Sequence, residues 1–215
     1  MLTKIREPIN SISHLLGILL SVVGLILLLV NTIPNGNILQ VVAASIFGIS
    51  LICLYSASTI YHWVISTDKI IRTLRKIDHC MIYVLIAGTY SPVCLLTLKG
   101  KLGIGLFIAI WSLALIGMIL KMVWLDAPRW LYTSFYLVFG WMAVFFIYPL
   151  SKAMPGQGVF LLILGGLFYS AGSIFYMLKP EKLRFLKLGF HEIFHLFILA
   201  GSISHYLFVF IYVLG

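Results

Sequence analysis

Seven stretches of this sequence, residues 11–30, 39–63, 77–98, 102–124, 130–150, 159–177 and 188–214, are apolar over about the 20 residues that an α-helix needs to cross hydrocarbon. That pattern leaves little choice of fold. In lipid every backbone N–H and C=O must be bonded within the protein, so long apolar runs become helices, and none of these alternates apolar with polar residues as a membrane strand would. The expected fold is an all-α polytopic membrane protein, a single domain over residues 1–215 with seven transmembrane helices. A chain that is 62% hydrophobic and only 10% charged lies outside the range of soluble domains, which supports the same class. The first stretch follows Lys4 and Arg6 as a signal sequence would, but it is too long and lacks a small-residue cleavage site, so it reads as helix one.

The net charge of +9 is spread by loop and not gathered in a patch, so it reports topology and not nucleic-acid binding. With the N-terminus cytoplasmic, twelve Lys and Arg residues fall on the inner side and only Lys99, Lys101 and Lys152 on the other. Seven helices then leave the C-terminus outside. The most basic segment, 66–76, carries Lys69, Arg72, Arg75 and Lys76 and reads as a loop anchored to anionic lipid headgroups. Residues 179–187 alternate basic with apolar side chains and suit a course along the inner interface. Cys53, Cys80 and Cys94 sit in apolar segments without CxxC spacing and read as core residues.

Polar residues inside the apolar runs need a reason, because each ionisable side chain there costs about 2.5–3.5 kcal/mol on insertion scales. The sequence Glu7-Pro8-Ile9-Asn10 reads as a turn entering helix one, and His14 beyond it could be a ligand but reads rather as an interfacial histidine. Helix two ends in a polar cluster in which Ser58 and His62, four apart, share a face; for His62 an aromatic-belt role and a ligand role are equally open. Helix three is expected to open at Asp78-His79, where an acid either caps the helix or faces a site. Pro92 breaks the backbone ladder, so the stretch Gly88-Thr89-Tyr90-Ser91-Pro92 either lines a pocket or simply kinks. Helices four and five read as scaffold, with Lys121 and Arg129 snorkelling near their ends. Small residues in helix six (Gly165, Gly166, Ser170, Gly172, Ser173) and helix seven (Ala200, Gly201, Ser202, Ser204) predict close packing of those two, and His205 reads as an interhelical hydrogen-bonding residue.

Helix seven carries the densest chemistry. His191 and His195, four apart, lie one above the other and can reach a single metal ion. Helix two ends on the side where helices three and seven begin, which puts His62, Asp78, His191 and His195 at one membrane depth. Three neutral imidazoles with an open fourth position form the arrangement of a catalytic zinc, which lowers the pKa of a bound water to about 7. Asp78 could then move that water's proton, and Ser58 could donate to an oxyanion or substrate carbonyl.

The combination Ser58-x3-His62, Asp78 and His191-x3-His195, with Glu7-Pro8-Ile9-Asn10 and the stretch from Ala87 to Pro92, resembles the haemolysin-III-like branch of the progestin and adipoQ receptor family. Adiponectin receptors and alkaline ceramidases share or echo these motifs. The resemblance implies a seven-helix cell-membrane protein with zinc on His62, His191 and His195 and with Asp78 beside the metal water. By analogy with the ceramidase-like members it implies a hydrolase that cleaves an amide bond of a membrane lipid entering from the bilayer. Two other functions fit the same residues. One is a non-catalytic regulator, sensor or haemolysin-like pore protein with a structural zinc and Asp78 as a fourth ligand. The other is an intramembrane protease reading His191-Glu192-x-x-His195 as a zincin motif with Glu192 as base.

Overall fold

The computed structural model describes residues 5–98, 100–179 and 188–215. Among the described residues, seven helical spans long and apolar enough to cross a membrane run Pro8–Thr32, Ile38–Trp63, Asp68–Thr97, Gly100–Val123, Arg129–Ala153, Gly156–Leu178 and Phe190–Val213. Four are uninterrupted helices: α1 (Pro8–Thr32), α2 (Ile38–Trp63), α4 (Gly100–Val123) and α7 (Gly156–Leu178). The third joins α3 (Asp68–Pro92) to a π turn, Val93–Thr97. The fifth consists of α5 (Arg129–Gly140), a 3-10 segment Trp141–Phe146 and α6 (Ile147–Ala153), and the last is α8 (Phe190–Phe208) followed by a second π turn.

Lipid is the solvent for which this sequence is sorted. Helix α1 buries Asn10, Ser11, His14, Gly17, Ser21, Gly24 and Leu28, a stripe at spacings of three and four. Its outward face is Leu16, Leu19, Val23, Ile26, Leu27 and Val30, the reverse of a water-soluble helix. Neighbours in sequence pack side by side from α1 to α4, α7 packs along α8, and α8 returns against α1. The ring is closed by α5, which packs against α3 and α7, and α3 is the most buried span. Small residues set the spacing of α7 and α8 as expected, but they receive aromatic side chains. Gly165 faces the His205 ring, Gly172 faces Phe197 and Gly201 faces Tyr169.

Two expectations fail at helix boundaries. The basic segment 66–76 is mostly helix, since α3 starts at Asp68 and carries Lys69, Arg72, Arg75 and Lys76 on its own first turns. Arg72 pairs with Asp126 and Lys76 Nζ donates to the Met122 carbonyl at 2.7 Å, so these cations also tie α3 to the chain leaving α4. Lys121 does not snorkel. It is 3% exposed, its Nζ donates to the Leu125 carbonyl at 3.2 Å and stands 3.7 Å from the Tyr132 ring centroid. Residues 180–187, for which the alternation predicts an interfacial course, lie outside the described residues, as do Lys4 and Lys99. All three cysteines are free.

Candidate metal centre

The last turn of α2 and the first turns of α8 meet at one end of the bundle. His62, His191 and His195 there bring one ring nitrogen each to within 4.8 Å of the others. Their ring centroids form a near-equilateral triangle of 5.0, 4.8 and 4.9 Å. His62 and His195 are each 1% exposed.

Two of the rings are held by their Nδ1 atoms from the start of α1. His62 Nδ1 lies 2.6 Å from Glu7 Oε2, and His195 Nδ1 lies 3.2 Å from the Asn10 carbonyl and 3.4 Å from Ser13 Oγ. A carboxylate and a carbonyl only accept, so each Nδ1 carries the hydrogen and each Nε2 of a neutral ring keeps its lone pair. The Nε2 of His191 is buried and has no hydrogen-bond partner among the described residues. An unpaired buried nitrogen facing two other imidazoles fits a divalent metal of the zinc type, which takes neutral histidine nitrogens.

Glu7 sits just before the first span, and its carboxyl is held down at a pKa of about 2, chiefly by the hydrogen bond to His62 and against the opposing effect of partial burial. Residues 7–10, which read from sequence as a turn outside the site, thus reach two of its histidines. The available signal was spacing, because Glu7, Asn10 and His14 fall at three- and four-residue intervals on one face. His14 was expected at the interface and is instead 3% exposed, stacked on His195 at 3.7 Å and 18°. It belongs to the polar stripe of α1, which turns inward because the outer face must be apolar.

Asp78 does not open its helix; Asp68 is the acid in the first turn, and Asp78 lies ten residues on. There it cannot serve as a cap, and it lines the same cavity as the histidines. Ser58, on α2, lines the same cavity. Asp78 is outside the group of converging ligand atoms, which among the described residues contains the three histidines alone. Glu192 is not among the residues lining the cavity.

The cavity encloses about 390 Å³ and extends from the histidines past Ile82 and Leu85 to Thr89, Tyr169 and His205. Thr89 and Tyr90 face it, so the stretch before Pro92 is part of the pocket wall. Helix α5, expected to be scaffold, lines it with Arg129, Tyr132, Thr133 and Tyr136. At the far end His205 Nε2 donates to the Leu162 carbonyl at 3.0 Å, the interhelical bond its position predicted.

The model of the family described as haemolysin-III related matches residues 2–206. The chain is 41% identical over 213 residues to the hemolysin-3 homolog of Bacillus subtilis (strain 168), covering 99% of this chain and 96% of that protein. It is 39% identical over 209 residues to hemolysin-3 of Bacillus cereus, covering 97% and 92%. It is 28% identical over 172 residues to the monocyte to macrophage differentiation factor of Homo sapiens, covering 77% and 68%. Matches of that extent, on a chain with seven membrane-length helices, place it in the haemolysin-III-related family of integral, multi-pass membrane proteins.

Proposed function

We propose that the protein is a zinc-dependent hydrolase of lipid amides, acting near the cytoplasmic face on a substrate that enters from the bilayer. The observation that carries this reading is the opening of three convergent histidines into a largely apolar cavity whose wall also holds a carboxylate. His62, His191 and His195 would hold the ion through their unbonded nitrogens. Bound zinc supplies a Lewis acid and lowers the pKa of water to about 7. Asp78 takes the proton of the attacking water on its carboxylate and returns it to the departing nitrogen. Water adds across the C–N bond, leaving a fatty acid and an amine. Ser58, which lines the same cavity, donates to the developing oxyanion. The apolar walls hold the acyl chain in line with the reacting carbonyl.

The exclusion of Glu192 from the cavity lining argues against the zincin reading. The discriminating experiment compares wild type, Asp78→Asn and Glu192→Gln for zinc content and for turnover of a panel of lipid amides including ceramides. Asp78→Asn is expected to keep its zinc and lose turnover, while Glu192→Gln keeps both. Turnover that survives Asp78→Asn and disappears in Glu192→Gln would overturn the mechanism.

A second reading is favoured by the name of the Bacillus cereus relative, hemolysin-3. In it the chain is a non-catalytic regulator, sensor or pore former, and the histidines hold a structural ion. Loss of zinc in Asp78→Asn, with no turnover by wild type, would support that reading.

A further inference from the structure

Glu7 holds His62 twice. Its backbone N–H donates to the His62 carbonyl at 3.0 Å, and its Oε2 accepts from His62 Nδ1 at 2.6 Å. The carboxylate is itself fixed, since Asn10 Nδ2 donates to the same oxygen at 3.0 Å and Arg6 Nε lies 3.4 Å from the other. The Arg6 backbone N–H adds a bond to the Trp63 carbonyl at 3.3 Å, so the segment before α1 is laid against the end of α2. From Asn10 onward the same helix meets His195: the Asn10 carbonyl lies 3.2 Å from its Nδ1 and Ser13 Oγ, three residues on, lies 3.4 Å from it.

A histidine metal ligand needs its other nitrogen bonded, because that bond chooses the tautomer, fixes the ring and raises the basicity of the ligating nitrogen. A carboxylate does this more strongly than a neutral acceptor, as its bond is charge-assisted. Resting on the reading of the three histidines as a metal site, we propose that Glu7 is the positioning residue of the metal centre, holding His62 through Nδ1 so that Nε2 meets the ion. The entry to α1 is then an integral part of the centre, although it contributes no ligand. Helix α1 fixes two ligands from two other helices, His62 by a carboxylate and His195 by a carbonyl and a hydroxyl.

The test uses the full-length protein in detergent, wild type and the variants Glu7→Gln, Glu7→Ala and Lys101→Gln. Zinc affinity is measured by competition with a chelator, at a temperature below the melting transition of every apo variant. Cobalt(II) is then substituted, and its visible absorption reports the ligand field. Glu7→Ala is expected to weaken zinc by about 10–100-fold, the usual loss on removing such a partner, and to change the cobalt spectrum. Glu7→Gln keeps an acceptor without its charge and falls between alanine and wild type. Lys101→Gln removes an exposed cation from the start of α4 and leaves both readouts unchanged. A merely structural role for Glu7 would lower the apo melting temperature and leave the cobalt spectrum of the folded protein unaltered, which overturns the proposal. Equal zinc affinity in Glu7→Ala and wild type also overturns it. Wild type that binds no zinc would instead remove the metal reading itself, and the proposal with it.

Discussion

The hydroxyl of Tyr90, on α3, is inserted into the backbone of the fifth span: it donates to the Gly140 carbonyl and accepts from the Ala143 N–H, both at 2.7 Å. The two bonds bracket the point where α5 gives way to the 3-10 segment. Backbone groups released by a break at membrane depth must find partners within the protein, and here one side chain serves a donor and an acceptor. Tyr90→Phe removes both bonds while keeping the ring. It should lower stability by about 1–3 kcal/mol, the cost of leaving buried polar groups unpaired. A thermal melt in detergent checks this, and an unchanged transition would show that the break is held by other contacts.

Close approach of α2 and α3 depends on Gly88. A Cβ at that position would lie 2.5 Å from the Cβ of Ser50, too near for either short side chain to turn aside. Gly88→Ala should therefore push the two helices apart and destabilise the bundle by about 1–3 kcal/mol, as overpacking does. Ser50→Gly in the same protein should restore part of the loss. Failure of the double variant to improve on the single one would place the strain elsewhere.

If a metal joins His62 of α2 to His191 and His195 of α8, its binding energy is available to the assembled bundle alone. Chelation should lower the melting temperature of the wild type, and His191→Ala or His195→Ala should show the lower value with or without chelator. Elemental analysis should give about one zinc per chain in wild type, falling in either variant. Equal zinc in wild type and the double variant would dismiss the three-histidine site.

The asymmetry of Lys and Arg predicts a cytoplasmic N-terminus. Cysteines introduced at Gln157 and Ser66, both exposed, would lie on opposite sides of the membrane. An impermeant thiol reagent applied to intact cells should label Gln157→Cys and spare Ser66→Cys. The reverse pattern would invert the topology and place the histidines at the outer face.

The seven spans and the facing of His191 and His195 were legible in the sequence, because both follow from local rules. Apolar length dictates a membrane helix, and a separation of four residues dictates one face. Strand-to-strand or helix-to-helix partners follow no such rule. That His62 joins the other two could be argued from topology, since alternate helices begin and end at the same side. The true start of α3 was hidden because Asp68, Lys69, Arg72 and Arg75 dilute the hydropathy that marks a span. The break at Gly140 was hidden because the atom that holds it belongs to Tyr90, fifty residues earlier. Glu7 and His14 show the division most clearly. Their spacing puts them on one face of α1, but only the return of α8 against α1 decides that this face meets His62 and His195. Periodicity is a property of one helix, whereas the neighbour a face meets is set by how all seven pack to bury their polar stripes away from lipid.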